Sequence, residues 1–506
     1  MKALKLQEYI DQIIENNLLI KTVIDQNSNV TENKILHLTY DSREVMESSL
    51  FICKGANFKE DYLNQAVLRG ALAYVSEVEY DVDIPLILVK DIRGTMALLS
   101  SLFFDFPEKE LTLVGVTGTK GKTTTTNFIR FILDDYLTAN KKKKSAYFSS
   151  VENYDGVTRA PSRMTTPEAI VLKQNFRTAV DSGVEFFEME VSSQALKYDR
   201  TKGLDFEIGI FLNISEDHLS PSEHSDMDDY LNSKLLLFKQ SNTVCLNLDT
   251  DYFSRVEQAA QQAKKIVTFS QHNKEADIFG YNIQKEDNYI TFDVRTPKYT
   301  EKMTLGIAGL FNVENALAAI AAMYTLNIPV EYIKSGLLKA RAKGRMELYT
   351  SKDANLVGIV DYAHNRLSFE VLFNSLKKEY PNHRLITVFG CPGGKAYNRR
   401  KEMGEVAGRI ADMTYITADD PANESVREIS EQVAKAIQAE KGVYEIVEDR
   451  EQAIRKAMSQ VDGPTVVAVV GKGAEINQRV GEGYVEYEGD AFHVIKNLEV
   501  YNRHHL

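Results

Sequence analysis

The chain has 506 residues, 43% of them hydrophobic and 26% charged, which excludes a largely disordered or collagen-like protein and predicts about three domains. Asp and Glu (72) outnumber Lys and Arg (60), and the formal net charge of −12 excludes a diffuse basic surface for nucleic acid. No run of about 18 apolar residues occurs, so we expect no membrane span, and the three widely spaced cysteines favour reduced thiols in a cytoplasm.

The predicted elements begin with an amphipathic helix in the first 20 residues, because acids interrupt its apolar stretch. Helical patterns then alternate with short Val/Ile/Leu-rich runs, which are typical of parallel strands buried on both faces, so the fold class is α/β. A Pro-and-charge stretch at 105–110 and a helical pattern that ends near Gly344 predict three domains, 1–107, 108–342 and 343–506. The clearest strand-like runs are 111–118, 208–214, 356–363, 385–390 and 465–473.

The segment TGTKGKTT predicts a phosphate-binding loop, because it follows a strand-like run and precedes a helical pattern. Its glycines let backbone N–H groups approach phosphate oxygens, and a helix N-terminus favours negative charge. Lys122 is placed to reach the β- and γ-phosphates, and the Thr123 hydroxyl to coordinate Mg²⁺. The strict motif has Gly where this chain has Val116, so this is a shorter form of the loop. The nucleotide-binding candidates are Thr117, Gly118, Thr119, Lys120, Gly121, Lys122, Thr123 and Thr124.

Polar residues follow several other predicted strands. Ligands of open α/β sheets bind outside the carboxyl ends of the strands, so these residues predict a nucleotide site and a second substrate site. A carboxylate at Glu190 is placed to hold a metal near the loop. The remaining clusters are Asp217-His218, Asp361-Tyr362-Ala363-His364, Asp419-Asp420-Pro421 and Gly471-Lys472-Gly473.

Taken together, the motifs resemble those of the Mur ligases, in family order and over nearly the whole chain. The resemblance implies an N-terminal UDP-binding domain, a central P-loop ATPase domain and a Rossmann-like C-terminal domain that receives an amino acid. The motifs are Asp41-Ser42-Arg43, TGTKGKTT, Met164-Thr165-Thr166-Pro167-Glu168, Glu190-Val191-Ser192-Ser193, FLNISEDH, GLFNVEN, Gly344-Arg345-Met346-Glu347, DYAHN and GKGAE.

The resemblance also implies an ATP-dependent ligase that phosphorylates a D-Glu carboxylate and lets an amine attack the acyl phosphate. It implies Mg²⁺ ligands at Thr123 and Glu190, a second Mg²⁺ ligand at His218, and a carbamylated lysine at Lys234 that supports a metal. The catalytic set implied by the resemblance is Lys122, Glu190, His218 and Lys234. Further ATP-binding residues implied by the resemblance are Asn312, Arg345, Asp361 and His364, of which the last two would complete the site on domain closure.

For the UDP-sugar-peptide, the UDP-N-acetylmuramoyl dipeptide, the resemblance implies a second set of residues. An arginine suits a carboxylate or pyrophosphate, because its planar guanidinium binds two oxygens at once. These residues are Ser42, Thr165, Thr166, Ser192 and Arg200.

The amino acid is indicated by Asp419-Asp420-Pro421-Ala422. Family members that add diaminopimelate carry Arg at the last position, and a second carboxylate without that partner would cost about 3–5 kcal/mol. The Asp-Asp-Pro-Ala form resembles the branch that adds L-lysine, and Asp420 suits the lysine ammonium. Glu424 and Glu475 are further candidates for that contact. Lys395 either holds the lysine α-carboxylate or is a solvated loop cation.

Three alternatives stay open on these residues. L-ornithine or another diamino acid could replace lysine, since one methylene discriminates by only about 1–3 kcal/mol. A folate polyglutamate-forming ligase shares the loop and the chemistry, and a regulatory ATP-binding protein would keep only the nucleotide site. Family members are commonly monomers, so a monomer is expected.

Overall fold

The computed structural model describes residues 3–25, 29–55, 57–216, 223–286 and 289–505. Contacts divide the chain into a first unit, Met1–Lys122, Leu133–Thr268 and Tyr324–Asn327, and a second unit, Thr123–Ile132, Phe269–Met323 and Ile328–Leu506. Within the described ranges, no helix is both long and apolar enough to cross a membrane.

The first unit begins with the predicted amphipathic helix, α1 (Leu6–Glu15). Leu6, Tyr9, Ile10 and Ile13 recur at helical spacing and bury one face of α1 in a core with the neighbouring sheet. The elements that follow α1 are β1 (Leu19–Val23), a 3-10 helix Val30–Glu32, β2 (His37–Thr39), β3 (Ser49–Ile52), α2 (Glu60–Leu68), β4 (Ala71–Ser76), β5 (Leu86–Val89), α3 (Ile92–Phe103) and a 3-10 helix Pro107–Lys109. The sheet has the order β1-β5-β4-β3-β2, and its strands are parallel except for β1.

The rest of the first unit forms around β6 (Thr112–Thr117), a strand that is almost wholly buried. Its other elements are α4 (Lys122–Ala139), of which residues 123–132 belong to the second unit, β7 (Ala146–Phe148), β8 (Glu152–Tyr154), β9 (Arg159–Pro161), α5 (Ala169–Asp181), β10 (Phe186–Glu190), α6 (Ser193–Lys197), β11 (Phe206–Phe211), α7 (Met227–Lys239), β12 (Ser241–Asn247), α8 (Phe253–Ala260) and β13 (Lys265–Ser270). These strands have the order β13-β12-β11-β6-β10-β7-β8-β9, and the five from β12 to β7 are parallel.

An aromatic cluster fills the core beside β10. Phe187 lies 4.9 Å from Phe148 and 4.7 Å from Phe176 between ring centroids, and all three side chains are buried. Tilted and edge-on ring pairs of this kind add to the stabilisation from buried apolar area. The cluster therefore fixes α5 against the sheet whose edge carries the phosphate loop.

The second unit contains an antiparallel meander and a second α/β sheet. The meander consists of β14 (Ile278–Glu286), β15 (Tyr289–Arg295) and β16 (Thr300–Leu305). The other elements are α9 (Asn312–Thr325), α10 (Val330–Lys339), β17 (Glu347–Thr350), β18 (Leu356–Asp361), α11 (Arg366–Glu379), β19 (Arg384–Phe389), α12 (Asn398–Ile410), β20 (Met413–Ile416), α13 (Val426–Ala439), β21 (Tyr444–Ile446), α14 (Arg450–Ser459), β22 (Thr465–Val470), β23 (Asn477–Val480), β24 (Gly483–Glu486) and α15 (Asp490–His504).

The second α/β sheet has the order β17-β18-β22-β19-β20-β21, and only β17 runs antiparallel to its neighbour. Its loops after β18, β19, β20 and β22 therefore leave from one edge. All five strand-like runs found in the sequence are parallel strands, namely β6, β11, β18, β19 and β22. The predicted α/β fold class is confirmed.

Candidate active site

The predicted phosphate loop lies at the carboxyl end of β6, a strand with a parallel neighbour on each side. β6 pairs with β10 and with β11, so Thr117, Glu190 and Phe211 end adjacent strands at one edge of the sheet. Gly121 precedes α4 with a φ of 88°, a conformation that glycine adopts without a clash at Cβ. Such an edge is where ligands bind in open α/β sheets.

Two lysine side chains meet at the carbonyl oxygen of Gly118. Lys122 Nζ donates to Gly118 O at 2.8 Å and to Thr119 O at 3.2 Å. Lys234, on α7, is buried, and its Nζ donates to the same Gly118 oxygen at 3.0 Å. The Lys234 ammonium also lies 4.5 Å from the ring centroid of Tyr230. Folding thus brings Lys234 to the loop from 116 residues away.

The segment after β11 forms hydrogen bonds with the predicted phosphate loop. Asn213 accepts from Thr119 N at 3.0 Å through its backbone and from Lys120 N at 2.9 Å through its side chain. Ser215 N donates to the Thr119 hydroxyl at 3.1 Å, and the Tyr230 hydroxyl lies 3.2 Å from the same oxygen. The loop is therefore held in shape by hydrogen bonds from two other elements.

Glu190 ends β10 with a buried carboxylate that accepts from Ser150 N at 2.7 Å. The Glu190 carboxylate and the Thr123 hydroxyl are oxygen donors, the kind that Mg²⁺ prefers. Asp217 and His218 lie outside the described residues, so the metal role expected for His218 stays a prediction.

The residues expected to bind the UDP-sugar-peptide cluster beside Glu190, apart from Ser42. The Thr166 hydroxyl donates to Glu190 O at 2.9 Å and accepts from Ser192 N at 3.0 Å. Arg200 Nη1 donates to Thr166 O at 3.2 Å, and Thr165 is the adjacent, half-buried residue.

An ion-pair network that the sequence reasoning missed holds Arg200. Glu168 lies 3.0 Å from Arg200 Nε and 2.7 Å from Lys54 Nζ, and the Lys54 ammonium is 4.5 Å from the ring centroid of Tyr40. Burial is the main cause that lowers the pKa of Lys54, and Glu168 opposes it. Glu168 ends a motif already quoted, whereas Lys54 carries no local signal.

Ser42 lies elsewhere in the first unit and donates to Gln65 Oε1 at 3.1 Å. The same N-terminal region holds a cavity of about 280 Å³, at the carboxyl ends of β3 and β4. The cavity combines apolar and charged side chains, including Cys53, Phe58, Glu77 and Arg93.

In the second unit, Arg345 reaches within 3.5 Å of the Thr123 hydroxyl through Nη2. The loop that carries Arg345 is ordered by Asp361, whose two carboxylate oxygens accept from Met346 N and Ala363 N, each at 2.8 Å. Asp361 therefore fixes both its own loop and the segment of Arg345.

Asn312 and His364 are each held by a backbone carbonyl. Asn312 Nδ2 donates to Ala308 O at 2.6 Å, and His364 Nδ1 lies 2.7 Å from Tyr362 O. Ala308 and Arg345 line one cavity of about 430 Å³, so Asn312 lies beside the hollow that Arg345 borders.

A charged cluster occupies the edge of the C-terminal sheet. Lys472 is buried, and its Nζ donates to Asp420 Oδ1 at 2.9 Å and to Glu475 Oε2 at 2.8 Å. Burial raises the pKa of the neighbouring Asp419 to about 6, against the opposing effects of Lys472 and Arg450. The sequence had marked Lys472 only as a strand-end residue, and its spacing from Asp420 gave no sign of the contact.

The other residues expected to contact the amino acid lie on loops of the same edge. Pro421 is buried, and Ala422 follows it with a φ of 50°. Lys395 is exposed on the loop after β19. Glu424, one of the candidate acids, is already paired with the buried Arg400 at 2.9 Å.

Two glycines bring the segments of Arg345 and Lys472 into backbone contact. A Cβ at Gly344 would lie 2.2 Å from Ala474 N, and one at Gly473 would lie 2.8 Å from Gly344 O. Neither position has room for a side chain.

Two protein-family models match the parts of the chain that contain most of these residues. Residues 116–323 match the Mur ligase middle domain, and residues 344–473 match the Mur ligase glutamate ligase domain. The chain is 40% identical to a UDP-N-acetylmuramoyl-L-alanyl-D-glutamate–L-lysine ligase of Enterococcus faecalis, over 91% of each chain. It is 38% identical to a ligase of the same name from Streptococcus pyogenes, over 90% of this chain and 91% of that one.

Solved structures show the same fold. A UDP-N-acetylmuramoyl-L-alanyl-D-glutamate–2,6-diaminopimelate ligase superposes with a TM-score of 0.69 at 24% identity, covering 100% of both chains. A UDP-N-acetylmuramoylalanyl-D-glutamyl-2,6-diaminopimelate–D-alanyl-D-alanyl ligase from Acinetobacter baumannii gives 0.62 at 16% identity, covering 100% of this chain and 99% of that one. With both domain matches and relatives of this similarity over nine-tenths of its length, the chain belongs to the Mur ligase family.

Proposed function

We propose that this Mur ligase joins L-lysine to the D-glutamate of UDP-N-acetylmuramoyl-L-Ala-D-Glu, with ATP as the energy source. The observation that carries the proposal is the 40% identity, over 91% of the chain, to a relative whose name states that reaction. The Asp-Asp-Pro-Ala segment supports lysine, because Ala422 offers no cation for a second substrate carboxylate.

The nucleotide phosphates are held by the loop Thr117–Thr124, with backbone N–H groups at the start of α4 and the Lys122 ammonium neutralising their charge. Asn312 lies near the adenine, and Arg345, which lines the cavity of about 430 Å³, reaches the nucleotide. Asp361 and His364 order the loop beside Arg345, as the bonds to Met346 N and Tyr362 O indicate.

Thr123, Glu190, His218 and a carbamylated Lys234 would hold Mg²⁺, and the hydroxyl and carboxylate oxygens in this set fit a hard cation. Bound there, Mg²⁺ would neutralise charge on the ATP phosphates. Carbamylation joins CO₂ to the Lys234 nitrogen with loss of two protons, one to free the amine and one when the N–C bond forms, so that a buried cation becomes an anion. The position of Lys234 at the Gly118 carbonyl supports its place in this set.

In the first chemical step, a D-Glu carboxylate oxygen attacks the γ-phosphorus, the bond from that phosphorus to the bridging oxygen breaks, and ADP leaves. The lysine amine then attacks the acyl carbon, and phosphate leaves from the tetrahedral intermediate as the nitrogen loses a proton. Lys122 stabilises the charge that moves onto the leaving oxygens.

Thr165, Thr166, Ser192 and Arg200 position the dipeptide end of the UDP-linked substrate. The bonds that join Thr166 to Ser192 and to Arg200 support a shared site. Ser42 and the cavity of about 280 Å³ serve the UDP end.

The lysine side chain is recognised by Asp419, Asp420 and Glu475, whose carboxylates suit its ammonium. Pro421 and Ala422 shape the pocket, and Lys395 faces the α-carboxylate. We extend the proposal to three domains, 1–107, 108–342 and 343–506, and to a monomer that works in the cytoplasm, where ATP is made.

The test is phosphate release with ATP, Mg²⁺ and the UDP-linked dipeptide, with L-lysine, L-ornithine or meso-diaminopimelate added in parallel. Release with lysine alone is the expected result. Phosphate release with diaminopimelate would refute the pocket assignment. No phosphate release with any of the three amino acids would favour a folate-type ligase or a non-catalytic ATP-binding protein.

The carbamate is tested separately with K234A. We expect turnover to fall at least about hundredfold and to recover partly when short carboxylates are added as carbamate mimics. A mutant with wild-type turnover would remove Lys234 from the mechanism, and K239Q, on the same helix, is the matched control because Lys239 is exposed.

A further inference from the structure

Lys472 is a buried cation for which the proposed reaction has no role. Its side chain is 0% exposed, although a buried ammonium is costly unless it is paired and hydrogen-bonded. It is paired twice, with Asp420 at 2.9 Å and with Glu475 at 2.8 Å. Both partners belong to the set that recognises the substrate ammonium.

Asp420 has a second hydrogen-bond donor besides Lys472. Asp420 Oδ1 accepts from Arg479 N at 3.0 Å, and Asp420 also lies next to Asp419 in the chain. Burial, and after it the charge of Glu475, raises the pKa of the Tyr362 hydroxyl to about 12, so Tyr362 lies near this carboxylate. Lys472 is thus the side chain that joins the Asp420 and Glu475 carboxylates, beside the backbone bonds from Ala422 N to Arg479 O and from Gly481 N to Ala422 O that also connect the two loops.

The charges of the cluster do not cancel. Asp419, Asp420 and Glu475 are three carboxylates, and Lys472 supplies one ammonium in contact with two of them. The nearby Arg450 is occupied by Asp490, which it meets through two bonds of 2.7 Å. A net negative charge is left for a further cation.

We propose that Lys472 is a positioning residue of the amino-acid pocket: its ammonium fixes the spacing of Asp420 and Glu475, and that spacing sets which diamino acid is accepted. The inference rests on the proposed lysine-adding function. Without Lys472, two like charges repel and move apart. Lysine and ornithine differ by one methylene, a difference that a well-shaped pocket turns into about 10–200-fold selectivity. A small displacement of Asp420 and Glu475 therefore changes the selectivity for lysine over ornithine.

The test is K472Q in the full-length enzyme, with lysine and ornithine competing in one reaction. We expect the lysine-to-ornithine ratio of kcat/KM to change at least about fivefold and KM for lysine to rise about tenfold. KM for ATP should stay within about twofold. The ratio is independent of the folded fraction, so partial unfolding does not imitate the effect.

K377Q is the matched control, since Lys377 also pairs with a carboxylate, Asp412 at 2.6 Å, but on an exposed surface. A K472Q ratio equal to that of wild type would overturn the inference. If K472Q does not fold, K472R keeps the charge and must keep the ratio within about twofold; a larger change there would overturn the inference too. Wild-type enzyme that uses neither amino acid would instead overturn the proposed function.

Discussion

Glu379 provides a test of what stabilises the turn at Gly309 and Leu310, next to Asn312. Its carboxylate is buried on α11 and accepts from Gly309 N at 3.3 Å, from Leu310 N at 3.0 Å and from the Ser375 hydroxyl at 2.6 Å. The turn at Gly309 and Leu310 leads directly into Asn312, the residue proposed to lie near the adenine. The change to make is E379Q, which keeps the shape and removes the charge.

The expected loss follows from the two backbone donors. Hydrogen bonds to charged groups contribute about 1.5–3 kcal/mol each, and neutral ones about 0.5–1.5 kcal/mol. Gln has one acceptor oxygen, so one bond becomes neutral, a loss of about 1–1.5 kcal/mol, and the other is lost, about 1.5–3 kcal/mol. Together they weaken the turn by about 2.5–4.5 kcal/mol, which corresponds to a roughly 60- to 1,600-fold larger opening equilibrium, since about 1.4 kcal/mol is tenfold.

Amide hydrogen exchange on peptides that cover 306–312 measures this opening directly. Protection should fall by the stated factor, and KM for ATP should rise with it. The control is E370Q on the same helix, because Glu370 is only half-buried and pairs with Arg366 and Arg409, each at 3.2 Å. Equal protection of 306–312 in E379Q and wild type would refute the reasoning.

Three further changes test other parts of the site. K122A removes the ammonium at Gly118 O and should lower kcat at least about hundredfold in the phosphate-release assay; a loss under tenfold would contradict its role. Because burial raises the pKa of Asp419 to about 6, its carboxylate gains a proton as the pH falls through about 6, so KM for lysine should rise there in wild type but not in D419N. The same raised pKa means that ionised Asp419 costs stability above about pH 6, so D419N should have the higher Tm at pH 8, and equal values would argue against it. A422R places a cation in the pocket and should lower kcat/KM for lysine at least about tenfold, whereas A422S should stay near wild type.

The parallel strands were predictable because burial on both faces leaves a continuous apolar run. The five runs found in the sequence became β6, β11, β18, β19 and β22. The strand–loop–helix arrangement around the predicted phosphate loop could be recognised for a different reason, since its glycines and Lys122 stand next to each other in the chain.

Other features had no such signal. The meander of β14, β15 and β16 mixes buried and exposed positions, and its residues did not form an apolar run. Ion pairs between residues far apart in the chain also leave no pattern in the sequence. Examples are the pair of Lys54 with Glu168 and the pair of Lys472 with Asp420, which are 52 residues apart. Such contacts depend on how loops of different strands meet, and the positions of charged residues alone do not reveal it.

The contact between Gly344 and Gly473 has an evolutionary consequence. A mutation to any larger residue at either position would drive a Cβ into backbone, so selection should hold both as glycine in every active relative. Lys395 is exposed, and Ala422 lies on a loop at the edge of the sheet, so backbone packing does not hold either of them to one residue type. A lineage can therefore change its amino acid by altering loop residues, while the paired glycines remain as a mark of common descent.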